Sequence, residues 1–252
     1  MSVLFVFAHQ DDEVPVLTRI AFELARGVRV RCAYLTDGAS GVPAAVRDAE
    51  SRSVLASLGV AADDIAFLGG ERRIADGRLA YETPRALELL RAFAAPLPPP
   101  ARVYAPDWEG GHADHDAAHL VALGLARELG VADVFTYSLY NAYRRPRGFF
   151  RATSFVPGTE PVIARKLTLR EALLPVRAIA RYRSQRRTWL FLGPGLTVRA
   201  LVRREERLRR ADPSRLRAAP HRGPLFYETR FHVSARAVME ATAELRALLS
   251  RS

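Results

Sequence analysis

Cysteine is almost absent. Cys32 is the single thiol among 252 residues, which excludes an internal disulfide framework and any cysteine-rich metal site. Long apolar runs are also missing; none approaches the roughly 20 residues that a membrane-spanning helix needs. The first residues, Met1-Ser2-Val3-Leu4-Phe5, enter an apolar run directly. They show neither a basic start nor a small-residue cleavage site, so no secretory signal is expected. A cytoplasmic location is the expectation that follows. With 49% hydrophobic residues and mean hydropathy of −0.06, the chain can bury the core of one large domain, or of one domain with an appendage.

Acidic residues are scarce in only one part of the chain. Residues 1–140 hold 13 Lys and Arg against 19 Asp and Glu, whereas residues 141–252 hold 25 against 8, a net of +17. The basic part suits an anionic partner: a phosphorylated or nucleotide-linked substrate, a lipid surface, or nucleic acid. A solvated, arginine-rich surface is the plain alternative. Aromatics are not regularly interleaved with the arginines and no nucleic-acid recognition motif is present, so nucleic acid is not expected.

Val3-Leu4-Phe5-Val6-Phe7-Ala8 reads as a strand buried on both faces. Helical spacing follows over 14–26, then a strand over 28–36, a loop at 37–41, a helix near 46–58 and a short strand at 65–68. Thr83-Pro84 opens a helix to about Ala95, with proline in the first turn. Beyond the stiff Pro96–Pro100 connector come a strand at 102–105, a helix at 115–129 and a strand at 134–139. This alternation predicts an α/β, Rossmann-like fold: a mostly parallel, doubly wound sheet with helices on both faces. Sites in such sheets form at the carboxyl ends of strands, near the topological switch. The later sequence predicts basic helices at 165–187 and 196–210 around an apolar loop at 188–195, then a strand at 225–233 and a helix at 234–249. We divide the chain into a metal-site domain, 1–145, and a basic C-terminal subdomain, 146–252, that completes the substrate pocket.

Histidine is scarce as well, six in all, and three of the six fall between 112 and 119. One predicted strand runs into His9-Gln10-Asp11-Asp12-Glu13. Another precedes His112-Ala113-Asp114-His115, with His119 one turn further on. Zinc in hydrolases takes three His or carboxylate ligands and keeps a position for water, which a non-ligating carboxylate can deprotonate. Each segment also has a plainer use. Asp11, Asp12 and Glu13 suit the first turn of a helix, and Asp114 suits a helix N-cap. His115 and His119, at i and i+4 on a predicted helix, form a second way to build a zinc site with an Asp.

Ala8-His9-Gln10-Asp11-Asp12-Glu13 and His112-Ala113-Asp114-His115 resemble the paired motifs of the PIG-L/LmbE-like family of zinc-dependent N-deacetylases. Thr36-Asp37-Gly38-Ala39-Ser40-Gly41, Arg47-Asp48-Ala49-Glu50 with Leu58-Gly59, and Arg181-Tyr182-Arg183-Ser184-Gln185 resemble further elements of that family. The resemblance covers about residues 1–190. It implies zinc, or another divalent ion, held by His9, Asp12 and His115. It implies Asp11 as the general base, His112 as oxyanion stabiliser and Asp114 as the residue that orients a neighbouring histidine. Arg47 would bind substrate hydroxyls, unless it pairs with Glu50 or Glu13. Trp108 would form a wall of the pocket, unless it is core. The family's prolines are replaced by Gln10 and Ala113, and Gln10 could reach the substrate as an amide. The family includes relatives that do not deacetylate, so a retained metal site does not fix the acyl group. The expected substrate is an N-acetyl amino sugar or its conjugate, with peripheral contact to anionic lipid and self-association as further expectations. Arg186-Arg187-Thr188-Trp189-Leu190-Phe191-Leu192 sets aromatics beside cations and suits a lid, a lipid contact, a dimer surface or plain core.

Overall fold

The computed structural model describes residues 1–39, 41–72 and 74–251; Ser40, part of the loop expected at 37–41, lies outside them. Its centre is a seven-stranded sheet in the order β3-β2-β1-β4-β5-β9-β8. The strands are β1 (Ser2–Phe7), β2 (Arg29–Tyr34), β3 (Ile65–Phe67), β4 (Arg102–Pro106), β5 (Val134–Tyr137), β8 (Val162–Lys166) and β9 (Glu205–Arg210). The first five run parallel, and β9 is antiparallel to both β5 and β8. A two-stranded ribbon, β6 (Tyr140–Asn141) with β7 (Arg151–Ala152), follows β5.

The continuous apolar run of β1 exists because both of its faces are covered. Val3, Phe5 and Phe7 enter one core with Val30, Cys32, Tyr34 and Tyr104. Leu4, Val6 and Ala8 enter the other with Ala33, Val103 and Ala105. The first core is closed by α1 (Leu17–Ala25), α2 (Ala44–Ala56), α6 (Leu169–Ile179) and α7 (Arg186–Thr197), through residues such as Ile20, Leu55, Ala178 and Trp189. The second is closed by α3 (Leu68–Arg72), α4 (Thr83–Ala94), α5 (Ala113–Glu128), α8 (Phe226–Arg230), α9 (Ala235–Ala241) and α10 (Ala243–Leu249). Helix α5 is buried without interruption from Ala113 to Ala126, so it carries no amphipathic stripe and reads as a central helix. β1 lies between β2 and β4, and the chain reverses its direction of winding there. Both His-containing segments leave the sheet at this point.

The first half follows the expected elements within a few residues; the second half departs from them. The loop expected at 188–195 is part of α7, because Trp189, Gly193 and Leu196 recur at helical spacing on its buried face. The helix expected at 165–187 is divided. Val162–Lys166 pairs with β9, and α6 starts afresh at a capping box of Thr168 and Glu171. The helix expected at 196–210 stops at Arg204, which is left-handed (φ 49°); from Glu205 the chain is strand. The strand expected at 225–233 is the short helix α8, whose first turn is held by Leu225 N–H donating to Glu228 Oε2 at 2.8 Å. Strands β8 and β9 bring the chain beyond residue 145 into the same sheet. No helix among the described residues is long and apolar enough to cross a membrane.

Arg209 on β9 ties that late strand to the end of β4. It pairs with Asp107, donates to Val156 O at 2.7 Å, and both side chains of the pair are 2% exposed. Without Arg209, buried Asp107 keeps only Arg215, at 3.4 Å, and the Thr136 hydroxyl, so the cost lies below the about 3–5 kcal/mol of a fully uncompensated buried charge. Arg209→Leu is therefore expected to lower the unfolding free energy by about 1–3 kcal/mol, read from denaturant midpoints at constant slope.

Candidate metal centre at the strand switch

His9 and Asp12 follow β1 in a tight loop. Asp12 Oδ2 accepts from the backbone N–H of Ala8 (3.0 Å) and of His9 (2.8 Å), which fixes its carboxylate. His115 comes from the first turn of α5. His9 Nδ1 lies 3.2 Å from His115 Nε2, His115 Nε2 3.1 Å from Asp12 Oδ1, and His9 Nδ1 3.6 Å from Asp12 Oδ2. A tetrahedral ion with bonds of about 2.0–2.1 Å separates its ligands by roughly 3.3 Å, so these three side chains fit a zinc-sized ion between them.

The other nitrogen of His9 decides its tautomer. Nε2 is 3.1 Å from Asp114 Oδ2, a carboxylate with no solvent exposure that also accepts from Gly77 N–H (2.6 Å) and Leu79 N–H (3.0 Å). A proton on Nε2 satisfies Asp114 and leaves the Nδ1 lone pair directed at Asp12 and His115. Buried His9 is surrounded by Asp76, Asp114 and Asp12. Burial alone would lower its pKa, but these carboxylates raise it well above the ordinary histidine value. The pocket around the ring thus favours positive charge.

Asp11 borders the same cavity. Its backbone is in a region that L-residues rarely adopt (φ 106°), a strain usually found where geometry serves function. Burial, opposed by Arg47 and reinforced by Asp12 and Glu13, pushes its carboxyl up to about 8. His112 is the N-cap of α5, its Nδ1 accepting from Asp114 N–H at 3.1 Å. Nε2 therefore carries the proton of the neutral ring. Burial, with His9 nearby, lowers its pKa to about 4, so it is a neutral donor and not an imidazolium. The glycines before it are required. Gly110 has φ 72°, and a Cβ on Gly111 would come within 1.9 Å of Tyr140 O.

Arg47 lines the cavity, Gln10 and Trp108 do not, and His119 stands apart from the His9, Asp12 and His115 group. Arg47 pairs with neither Glu13 nor Glu50; it reaches Asp11 Oδ1 at 3.1 Å and donates to the carbonyls of Gln10 and Gly38. Gln10 is fully buried and turns away, donating to Asp48 Oδ1 at 2.5 Å. Trp108 is core, 1% exposed, its indole N–H donating to Ala218 O at 3.2 Å. Neither Gln10 nor Trp108 borders the cavity. His119 is not brought to His115 as a ligand; its Nδ1 is 2.8 Å from Pro106 O, beneath the site. Glu13 is structural: it accepts from Asp11 N–H (3.0 Å) and from the hydroxyl of Tyr182. Ser184 of the same late element bonds Glu50.

The cavity above these residues measures about 430 Å³, within the range of small-ligand sites. Among its residues outside the motifs are Asp76, in the turn after α3, and Tyr140, at the start of the ribbon after β5. Asp76 Oδ1 lies 3.3 Å from His9 Nε2. Only the Asp-Gly turn signal marked this position in the sequence. Trp189, from the aromatic and cationic segment 186–192, closes the far side together with Arg230 and Phe231, which carry no motif.

The family model for GlcNAc-PI de-N-acetylase (PIG-L) matches residues 4–126. That match covers just under half of the chain and shows what its N-terminal half is similar to. The PIG-L match takes in both His/Asp segments and every residue named around the ion position except Tyr140 and the far wall. No curated protein sequence matches the chain significantly. Among solved structures, the fold resembles a triple mutant of a deacetylase of the teicoplanin biosynthetic pathway, with 18% identity and TM-score 0.64 over 84% of this chain and 99% of that one. The zinc-inhibited form of teicoplanin deacetylase gives 16% identity and TM-score 0.60 over 84% and 99%. The N,N'-diacetylchitobiose deacetylase from Pyrococcus horikoshii gives 21% identity and TM-score 0.57 over 82% of each chain.

The buried histidine beneath the site makes stability depend on pH. Burial holds His119 at about 4 in the folded protein, against about 6.5 unfolded. Its stabilising share is full above the unfolded value and is lost as pH falls towards 4, reaching about 2 kcal/mol at pH 5. His119→Asn keeps a donor for Pro106 O but cannot titrate. The loss of melting temperature between pH 7 and pH 5 is expected to shrink by about 4–8 °C in this variant; an unchanged slope would rule out the assignment.

Proposed function

We propose that the protein is a zinc-dependent N-deacetylase that hydrolyses the acetamide of an N-acetyl amino sugar or its conjugate. The convergence of His9 Nδ1, Asp12 and His115 Nε2 beside Asp11, at the floor of an open cavity, carries this reading. Deacetylases of teicoplanin biosynthesis and of diacetylchitobiose, which share the fold, support a glycoconjugate substrate, and the zinc-inhibited relative supports an ion of this type. Another divalent ion would suit the same ligands.

His9, Asp12 and His115 hold the ion, which when bound supplies Lewis acidity towards water and the acyl carbonyl. Asp11, held by Arg47, accepts the proton of the attacking water in its ionised form, which a cation bound beside it would favour. His112 donates Nε2–H to the acyl oxygen as negative charge develops there. The new bond joins the water oxygen to the acyl carbon, the carbon–nitrogen bond breaks, and Asp11 returns the proton to the departing amine. Acetate and the free amine result. Asp114 holds His9 in the required tautomer. Arg47 and Asp76 offer charged partners for substrate hydroxyls at the cavity wall, and residues 146–252 complete the pocket through Trp189, Arg230 and Phe231.

Acetate release from a panel of N-acetylglucosamine conjugates tests the reading. Chelation is expected to abolish turnover and zinc to restore it. Asp11→Asn should lower kcat at least 100-fold while keeping the bound metal. Wild-type rates in Asp11→Asn or in metal-free protein would overturn it.

A second observation favours a lipid-linked substrate of the same enzyme. Leu190, Phe191, Val198 and Val202 are 72%, 68%, 51% and 75% exposed, and exposed Arg186, Arg187, Arg203 and Arg204 flank them. The opposite face of α7 borders the cavity through Trp189 and Leu192. Apolar side chains rimmed by arginine suit an anionic bilayer surface. Co-sedimentation with anionic but not neutral vesicles is expected, weakened by salt and by replacing Leu190 and Phe191 with Ser; protein left in the supernatant would remove this reading.

A further inference from the structure

His9 stands between two groups of donors. Its Nδ1 faces Asp12 and His115; its Nε2 faces Asp76 and His112. Asp76 Oδ1 is 3.3 Å from His9 Nε2 and 3.9 Å from His112 Nε2, and one donor atom from each of the three residues lies within 4.8 Å of the others. Asp76 is built into this position. Its N–H donates to Asp37 Oδ1 at 3.0 Å, and the next residues, Gly77 and Leu79, donate to Asp114. Its side chain is 18% exposed, at the cavity, so an ion can reach it from solvent.

We propose that Asp76 and His112, with the Nε2 side of His9, form a second divalent-cation position that binds more weakly than the first and inhibits turnover when filled. The hydrogen bonds set the ranking. At the first position the facing nitrogen of His9, Nδ1, lies 3.2 Å from His115 Nε2 and makes no bond to Asp114. At the second, both facing nitrogens carry protons: His9 Nε2–H is shared with Asp114, and His112 Nε2–H follows from its Nδ1 accepting the Asp114 amide. To ligate, His112 must give up the helix cap made by its Nδ1, and His9 must give up its bond to Asp114. Filling this position also takes from His112 the N–H that would face the acyl oxygen, so excess metal stops turnover. The inference rests on the reading of His9, Asp12 and His115 as the primary ligands.

Zinc titration of the metal-free protein by native mass spectrometry and calorimetry tests it, with the initial rate followed in parallel. Two binding steps are expected, with dissociation constants at least tenfold apart, the rate rising with the first and falling with the second. Asp76→Asn should keep the first step, weaken the second at least tenfold and move inhibition to higher zinc by the same factor. Anomalous scattering from zinc-soaked wild-type crystals should give a second peak beside Asp76. A single step in the wild type, a second step unchanged in Asp76→Asn, or a second peak elsewhere would overturn the inference. Loss of the first step as well would instead overturn the assignment of the primary ligands.

Discussion

Asp114 sits at the first turn of the central helix with no access to water, and its buried carboxylate must find donors. It finds them in His9 Nε2–H and in the N–H groups of Gly77 and Leu79. These contacts set most of the site. The bond to His9 turns the Nδ1 lone pair towards Asp12 and His115. The bonds to Gly77 and Leu79 hold the loop that carries Asp76 against the cavity. The amide of Asp114 itself occupies His112 Nδ1, which leaves the Nε2 proton of His112 facing outward. A carboxamide in place of this carboxylate would lose the charge-assisted part of these bonds.

The sheet supplies the reason these groups can meet. β1 and β4 are adjacent and in register, Phe5 opposite Tyr104, so the segments that leave their carboxyl ends converge. Covering β1 on both faces makes the strand rigid and also dehydrates whatever follows it. Burial pulls Asp11 and His112 in opposite protonic directions, up to about 8 and down to about 4. Both shifts favour the neutral form, and they come from the same cause. Arg47 opposes the first shift through its bond to Asp11, and with its donations to Gln10 and Gly38 it pins the strained loop.

The N-terminal half was legible because its signals are periodic and local. The two-sided strand, the Thr83-Pro84 helix start and the histidine segments after strands each stand on a few adjacent residues. The C-terminal half was misread for a physical reason. Arg, Leu, Glu and Ala all favour helix, so 196–210 carried no local signal separating β9 from the helix before it; pairing with β5 and β8 overrides that preference. A Thr-x-x-Glu cap at 168–171 was present and marks the start of α6. Trp108 and Gln10 were read by residue type; burial against Ala218 and Asp48 depends on elements far along the chain and could not be read from neighbours.

The sequence alone determined the fold class, the likeness to the PIG-L family over residues 4–126, and the two segments that converge on one centre, because strand periodicity and motif spacing are written in consecutive residues. Only the tertiary structure decided which nitrogen of His9 faces which donors, that His119 lies beneath the site and not in it, and that Arg47 is bound to Asp11. It also brought Asp76, Tyr140, Arg230 and Phe231 to the cavity. These outcomes depend on distances between residues tens to hundreds of positions apart, which packing on a common sheet fixes and local sequence does not encode.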